Sequence, residues 1–514
     1  AKNVITVGAV NKIPGGYTNS DDVVMSSFSS WGPTDDGRIK PDLVGAGVNI
    51  TSTFETSDNA YGTICGTSMA TPNVVGTLAL IQELNKKITG NFLKSSALKG
   101  LAIHTVHKAG LDDGPDYSFG WGLMNGKAAA EHLLSQNGVN KVIKDVILDD
   151  GETFSFDINP LEGTQVKITI CWTDVAGTPP ALNQLDPTDL MLVNDLDLRV
   201  SNSTEEHMPY ILEPTTPSAP ATTGDNFRDN VEKIEFISNS NETHRVSVNH
   251  KGSLVNGAQE FSLIISYESN QSQTFYRIGN SPVWDSPENW SKLSGGSPAM
   301  EIPSIDDIVI FDEKSFEDQS SNISEDGSVF EIVLNSELQL NRLINLTDTE
   351  IVFDLNENNI VTYNGLNIPD GKINFKGEGN IVLKDKFKES LNITGSNSIL
   401  ERVNIIADLQ NGSEISIQND QSLNSLTIES GNLKLSGKKL KFANLNLKNN
   451  AELSVLNTEI TITNSLNLEA SAVLNLSGLE LISSNDEGTV HISFNNQQID
   501  GEILVEEGKI VVSG

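Results

Sequence analysis

The chain has 514 residues, a formal net charge of −35 and 37% hydrophobic residues. This length predicts about three domains, and no apolar run is long enough to cross a bilayer as a helix. The acidic excess argues against nucleic acid and anionic lipid as partners and favours cations, calcium first among them. The composition therefore indicates an extracellular, multi-domain protein without a membrane span.

The first motif that carries chemistry is Gly66-Thr67-Ser68-Met69-Ala70-Thr71-Pro72, which leads from a turn into a long apolar helix. A hydroxyl at a helix start lies beside free backbone N–H groups and the positive end of the helix dipole. That environment suits a nucleophile whose substrate develops an oxyanion, so Ser68 is the candidate nucleophile. Pro72 is expected in the first turn, where a missing N–H costs little. The alternative is an ordinary Ser/Thr helix cap.

This seven-residue motif is the serine signature of subtilisin-like serine peptidases, and its flanks resemble the same family in the same order. The flanking matches are residues 4–10, 28–33, 40–43 and 119–122. The resemblance implies an α/β subtilisin-like domain in residues 1–137. It also implies a serine endopeptidase that acts on proteins or peptides and requires no cofactor for its chemistry.

The subtilisin-type triad runs Asp, then His, then Ser along the chain. The resemblance implies that the family's Asp, His and oxyanion Asn lie upstream of the strand at residues 4–10, with which this sequence opens. We therefore expect a C-terminal part of a peptidase domain that is inactive by itself, because a nucleophilic serine needs a base and an orienting group. His104 and His107 lie on a predicted helix over residues 94–108, but nothing in the sequence places them over Ser68.

A second region begins after the helical residues 127–134, where short alternating runs indicate strands. The predicted strands are residues 153–158, 165–170, 196–200, 245–248 and 261–265. With turn signals between them, they predict a β-sandwich in residues 138–270. Residues 193–198 and 230–232 resemble the jelly-roll domain that follows the catalytic domain in one group of bacterial subtilases.

Two carboxylates of this region are candidate metal ligands. Asp195 and Asp197 project to one face of a strand, because side chains alternate along it. With Asn194 and Asp174 nearby they offer hard oxygen ligands, so a structural calcium ion is the expected cofactor. The alternative is an edge strand protected by charge.

The last two segments carry aromatic residues and then a repeat. Residues 271–325 contain Trp284 and Trp290 and are expected to form a cap, with the aromatic rings in a core rather than in a sugar platform.

Residues 326–514 repeat apolar pairs about every 20 residues, which predicts a parallel β-helix-like solenoid of three short strands per rung. The repeating pairs are Leu426/Ile428, Leu445/Leu447 and Leu466/Leu468, together with Leu440/Phe442, Ile460/Ile462 and Leu479/Leu481.

Two functions remain open on this sequence. The first is a secreted or surface-displayed subtilisin-like endopeptidase. The second is a non-catalytic bacterial surface adhesin or scaffold with a degenerate peptidase domain. In either case the solenoid is expected to act as a spacer or to contact the cell surface or polysaccharide.

Overall fold

A computed structural model gives the fold in two compact units, residues 1–86 with 92–270 and residues 87–91 with 271–514. It describes residues 2–136, 140–181, 184–269, 273–279, 281–305, 307–316, 329–362, 365–367, 373–384, 391–394, 404–409, 414–417, 421–437, 439–448, 450–456, 459–469, 472–477, 498–499, 502–505 and 509–513. Among these residues, no helix combines the length and the apolar character needed to cross a membrane.

The first unit opens with strands and helices. Its early elements are β1 (Val7–Val10), β2 (Leu43–Ala46), β3 (Ile50–Thr53), β4 (Tyr61–Ile64), α1 (Thr67–Thr89), α2 (Ser95–His104) and α3 (Gly126–Leu134). Strands β1 and β2 pair in parallel, and β3 and β4 form an antiparallel hairpin that leads into α1. The predicted helix over residues 94–108 ends at His104, because the backbone of His107 pairs instead with Leu123.

Helix α1 packs through an apolar stripe. Ala70, Val74 and Leu78 recur every four residues and are buried, which puts them on one face of the helix. They share a core with Val7 and Leu43 of the parallel strands. This contact fixes the position of the start of α1 relative to β1 and β2.

The rest of the first unit is a β-sandwich. The strands of this region are β5 (Lys141–Asp149), β6 (Phe154–Ile158), β7 (Gln165–Trp172), β8 (Leu196–Ser201), β9 (Glu206–His207), β10 (Tyr210–Ile211), β11 (Thr222–Thr223), β12 (Val231–Ile237), β13 (His244–His250) and β14 (Ala258–Ser266). Strands β10 and β11 pair with each other and belong to neither sheet of the sandwich. One antiparallel sheet has the order β12-β7-β14-β5 and the other β6-β13-β8-β9. Residues of both sheets, such as Ile168 and Leu198, share one core. All five predicted strands are present, while the jelly-roll resemblance stays a prediction.

Helix α2 is buried between the first part of the unit and the sandwich. Eight of its ten residues are buried. The His104 ring lies 3.0 Å from Thr169 Oγ1 on β7 and 2.8 Å from Ser266 Oγ on β14. At Gly100 a Cβ would meet Ile264 Cδ1 at 2.6 Å, so the helix approaches the sheet more closely than a larger residue would allow.

The described residues of the second unit form mainly β-strands. They are β15 (Thr274–Arg277), β16 (Trp290–Ser291), β17 (Ile308–Phe311), β18 (Val329–Val333), β19 (Leu338–Leu340), β20 (Arg342–Asn345), β21 (Glu350–Asp354), β22 (Ile360–Thr362), β23 (Gly365–Asn367), β24 (Ile373–Lys376), β25 (Asn380–Lys384), β26 (Leu391–Thr394), β27 (Asn404–Asp408), β28 (Glu414–Ile417), β29 (Gln421–Ser430), β30 (Asn432–Gly437), β31 (Lys439–Leu447), β32 (Glu452–Leu456), β33 (Glu459–Leu468), β34 (Val473–Ser477), β35 (Gln498–Ile499), β36 (Glu502–Val505) and β37 (Lys509–Ser513). Trp284 and Trp290 are buried in its core, as predicted for the cap segment.

The repeats form a β-solenoid of parallel ladders. Leu426 pairs with Leu445, and Leu445 with Leu466, and all three are buried. The predicted period of about 20 residues is therefore the step from one rung to the next. Two of the three predicted strands run together in β31, whose pairing with β33 shifts register after Phe442. The predicted pair Leu479/Leu481 lies outside the described residues.

Candidate functional site

Ser68 is the second residue of α1, and its side chain is exposed. The turn before it is fixed by the backbone of Gly66, whose N–H donates to Gly47 O at 2.8 Å. Gly66 O in turn accepts from Met69 N at 3.0 Å and from Ala70 N at 3.2 Å. The segment after β2 therefore holds the start of the helix in place.

Two glycines allow this close approach. At Gly47 a Cβ would lie 2.7 Å from Ala9 Cβ and 2.7 Å from Gly66 O. At Gly45 it would lie 2.8 Å from Val74 Cγ2 of α1. All three distances are shorter than van der Waals contact, so these positions require glycine for packing rather than for an unusual φ angle.

The Ser68 backbone N–H is free to donate a hydrogen bond to a ligand. Neither the N–H nor the Oγ of Ser68 has a hydrogen-bond partner among the described residues. The N–H belongs to the first turn, whose N–H groups have no acceptor within the helix. Pro72 lies beyond the first turn, contrary to the prediction, because α1 begins at Thr67. Since Pro72 has no N–H, it cannot donate the usual helical bond to Ser68 O.

No described histidine hydrogen bonds to Ser68, and the first histidine of the sequence, His104, comes after it. Burial, with the charge of His132 next in size, holds the pKa of His104 well below its ordinary value. His107 stacks on Tyr17 with ring centroids 3.9 Å apart. Neither ring hydrogen bonds to Ser68, so among the described residues the candidate nucleophile has no histidine as a hydrogen-bond partner.

Asp195 and Asp197, the predicted metal ligands, lie in a cluster with Asp225. Lys251 Nζ is 3.1 Å from Asp195 Oδ2, 3.0 Å from Asp197 Oδ1 and 2.7 Å from Asp225 Oδ1. Arg199 Nη2 lies 3.0 Å from both Asp197 and Asp225. Burial raises the pKa of Asp195 and of Asp197. Two side-chain cations thus compensate these carboxylates, and the calcium site stays a prediction.

A second cluster was not anticipated from the sequence. One donor atom each from Glu205, His207 and His244 lie within 4.8 Å of one another. Glu205 and His207, two residues apart, are the local signal that could have indicated the cluster. His244 reaches it only because β13 pairs with β8, which also pairs with β9.

Comparisons with known proteins show similarity to subtilases and other serine proteases. Residues 1–122 match the subtilase family, Peptidase S8. The serine protease AprX of Bacillus subtilis is 38% identical over 112 residues, which cover 20% of this chain and 25% of the relative. A C5a peptidase of Streptococcus pyogenes is 39% identical over 83 residues, which cover 16% of this chain and 7% of the relative.

Among solved structures, the alignment with tripeptidyl peptidase 2 covers 53% of this chain and 31% of the tripeptidyl peptidase chain. The sequence identity is 13% and the TM-score is 0.18. The chain spans a quarter of AprX and a smaller share of the C5a peptidase. The family match covers the Ser68 motif, β1, β2 and α1. The resemblance carried by the Ser68 motif is thus confirmed, because residues 1–122 match the subtilase family.

Proposed function

We propose that this chain supplies the nucleophile of a subtilisin-type serine endopeptidase, and that the nucleophile is Ser68. The observation that carries the proposal is the exposed Ser68 hydroxyl at the start of α1, inside a region that matches the subtilase family. Its substrates are then proteins or peptides, since the family cleaves peptide bonds.

In the proposed reaction, Ser68 Oγ attacks the carbonyl carbon of the scissile peptide bond and loses its proton to a histidine. The Ser68 N–H, which has no partner among the described residues, donates to the oxyanion of the tetrahedral intermediate. The histidine then gives its proton to the leaving amine, and water releases the acyl group by the same steps.

We propose that this histidine is not one of those that the structure describes, because none of them hydrogen bonds to Ser68. We therefore propose that residues 1–514 alone do not hydrolyse peptides. The acidic composition and the solenoid support a location outside the cell, where the repeats act as a spacer.

The test is fluorophosphonate labelling of the complete product of the parent gene. We expect labelling of the wild type and of Ser52→Ala, an exposed serine on β3, and no labelling of Ser68→Ala. Labelling that persists in Ser68→Ala would place the reactive serine elsewhere. A folded complete protein that takes no label at all would favour the adhesin or scaffold function.

A further inference from the structure

We propose that Glu205, His207 and His244 form a binding site for a zinc ion in the β-sandwich, at a place separate from Ser68. The inference is independent of the proposed peptidase function. Glu205 directly precedes β9, His207 lies on β9, and His244 is the first residue of β13.

The distances between the donor atoms are close to those of a zinc site. His207 Nε2 lies 3.4 Å and His244 Nε2 lies 3.9 Å from Glu205 Oε1, and all three atoms lie within 4.8 Å of one another. Bonds of about 2.0–2.2 Å at tetrahedral angles separate ligand atoms by about 3.4 Å. Small side-chain adjustments are therefore enough to bring the three donors onto one ion.

The tautomer of His244 suits a metal ligand. Its Nδ1 lies 3.0 Å from Glu242 O, and a carbonyl oxygen can only accept, so Nδ1 carries the proton of the neutral ring. Nε2, which lies 3.9 Å from Glu205 Oε1, therefore keeps its lone pair and accepts a 3.2 Å hydrogen bond from Asn202 Nδ2. A hydrogen bond from the second ring nitrogen to a carbonyl is a common way to orient a ligating histidine. Zinc would replace the Asn202 amide at Nε2.

Two of the donor atoms lack a hydrogen bond, although they lie 3.4 Å from each other. Glu205 Oε1 and His207 Nε2 are buried and have no hydrogen bond within the described residues. Leaving a buried polar atom unsatisfied costs about 1–3 kcal/mol, and a bound cation would satisfy both atoms at once.

The surroundings hold the ligands in position. The His207 ring stacks on Phe236, with centroids 3.8 Å apart and planes 12° from parallel. Asn202 Oδ1 accepts from Thr204 N at 2.8 Å and from Glu205 N at 2.9 Å, which fixes the turn that carries Glu205. The site is therefore built on two strands and one ordered turn, and little conformational entropy is lost when the ion binds.

The donor set indicates which ion binds. Two imidazole nitrogens and one carboxylate oxygen are ligands typical of zinc, with a fourth position left for water. Calcium prefers six to eight oxygen ligands, which this cluster does not offer. The predicted calcium ligands Asp195 and Asp197 belong to a different cluster, which is compensated by Lys251.

The test is isothermal titration of the full chain, without a histidine tag and freed of metal by a chelator, with zinc chloride. The variants are Glu205→Gln and His207→Asn. The matched control is His107→Asn, whose ring stacks on Tyr17 outside the cluster. His244 is not replaced, because its side chain is fully buried. Circular dichroism checks that each variant folds.

We expect one zinc ion per chain for the wild type and for His107→Asn. Replacing the residues that hydrogen bond to metal ligands typically lowers metal affinity ~10- to 100-fold. Loss of a ligand itself should lower the zinc affinity at least as much. Zinc should also raise the unfolding temperature of the wild type and the control but not of the two ligand variants. Absence of 1:1 binding in the wild type, or equal affinity in the folded ligand variants, would overturn the proposal.

Discussion

Lys251 Nζ lies 3.0 Å from Asp197 Oδ1 and so takes the place at which a cation bound by this carboxylate would lie. The same ammonium group reaches Asp195 and Asp225. The three carboxylates come from two separate stretches of the chain, and Lys251 joins them. The predicted calcium ion and this lysine therefore compete for the same oxygen atoms.

Lys251→Met should destabilise the sandwich, because it keeps the apolar stem and leaves three clustered carboxylates with less compensation. Since the lysine is partly exposed and therefore screened, we expect a loss of about 1–2 kcal/mol in the free energy of unfolding. Added calcium should restore part of this loss if Asp195 and Asp197 can bind it. Urea unfolding with and without calcium measures both effects.

Lys127→Met is the control for that experiment, because Lys127 is exposed and, among the described residues, forms an ion pair only with Glu131, at 3.6 Å on the surface of α3. Its effect should stay within about 0.5 kcal/mol. A Lys251→Met protein that is destabilised yet indifferent to calcium would argue against metal binding by Asp195 and Asp197.

Gly47→Ala should destabilise the region around Ser68. The new methyl group would lie 2.7 Å from Ala9 Cβ and from Gly66 O, and such overpacking typically costs about 1–3 kcal/mol. Gly76→Ala on α1 is the counterpart, because its Cβ meets nothing within 4 Å. That change should stabilise the helix by ~0.5–1 kcal/mol. Thermal unfolding of the two variants should shift in opposite directions, and equal shifts would contradict the packing at Gly47.

Asp229→Asn should change the pH dependence of stability. Asp229 accepts a 2.9 Å hydrogen bond from Ile39 N, and burial raises its pKa from 3.8 to about 6. The folded state therefore binds this proton more tightly than the unfolded state does. Between pH ~4 and ~6 this carboxyl lowers the free energy of unfolding as pH rises, by up to ~3 kcal/mol in total.

The asparagine variant lacks this titration. The difference in free energy of unfolding, wild type minus variant, should therefore fall between pH 4.5 and pH 7 when both proteins are unfolded with urea. Other titrating groups, such as the buried His104, contribute to both proteins and cancel in the difference. A difference that stays constant with pH would show that Asp229 has the same pKa in the folded and the unfolded protein.

Gly431→Ala should destabilise the solenoid. Gly431 has φ +81°, and a Cβ there would lie 1.8 Å from Leu409 O, at the close approach between successive rungs. Gly163→Ala is a matched control, because Gly163 also has φ +81° but its Cβ meets nothing within 4 Å. Both changes carry the backbone strain of about 1–2 kcal/mol.

The steric clash should make Gly431→Ala more costly than Gly163→Ala by about 1–3 kcal/mol. The measurement is chemical denaturation followed separately for the transition of each unit. Equal losses in the free energy of unfolding for the two variants would mean that the rungs can move apart to accept the methyl group at no energetic penalty.

Local patterns were enough to predict several parts of this molecule. Ser68 was placed at a helix start because turn and helix signals lie next to each other in the sequence. Leu426, Leu445 and Leu466 were placed in register because each rung repeats the last. Both predictions depend only on residues that lie within about one repeat, or about 20 residues, of each other in the sequence.

Contacts between distant segments could not be predicted in this way. Lys251 meets Asp195, and His244 meets Glu205, only through the antiparallel pairing of β13 with β8. The predicted helix over residues 94–108 stopped early for the same reason, because Leu123 offers the backbone of His107 a competing partner. A single sequence carries no signal for such pairings.

The burial of α2 has a consequence for how the chain can be divided. This helix precedes the predicted boundary at residue 137, yet its His104 and Ser96 side chains hydrogen bond to the strands beyond it. A protease that cuts the chain between α3 and β5 would therefore produce two fragments that stay associated. The pieces should co-elute in gel filtration and separate only in denaturant, as the subunits of a tight heterodimer do.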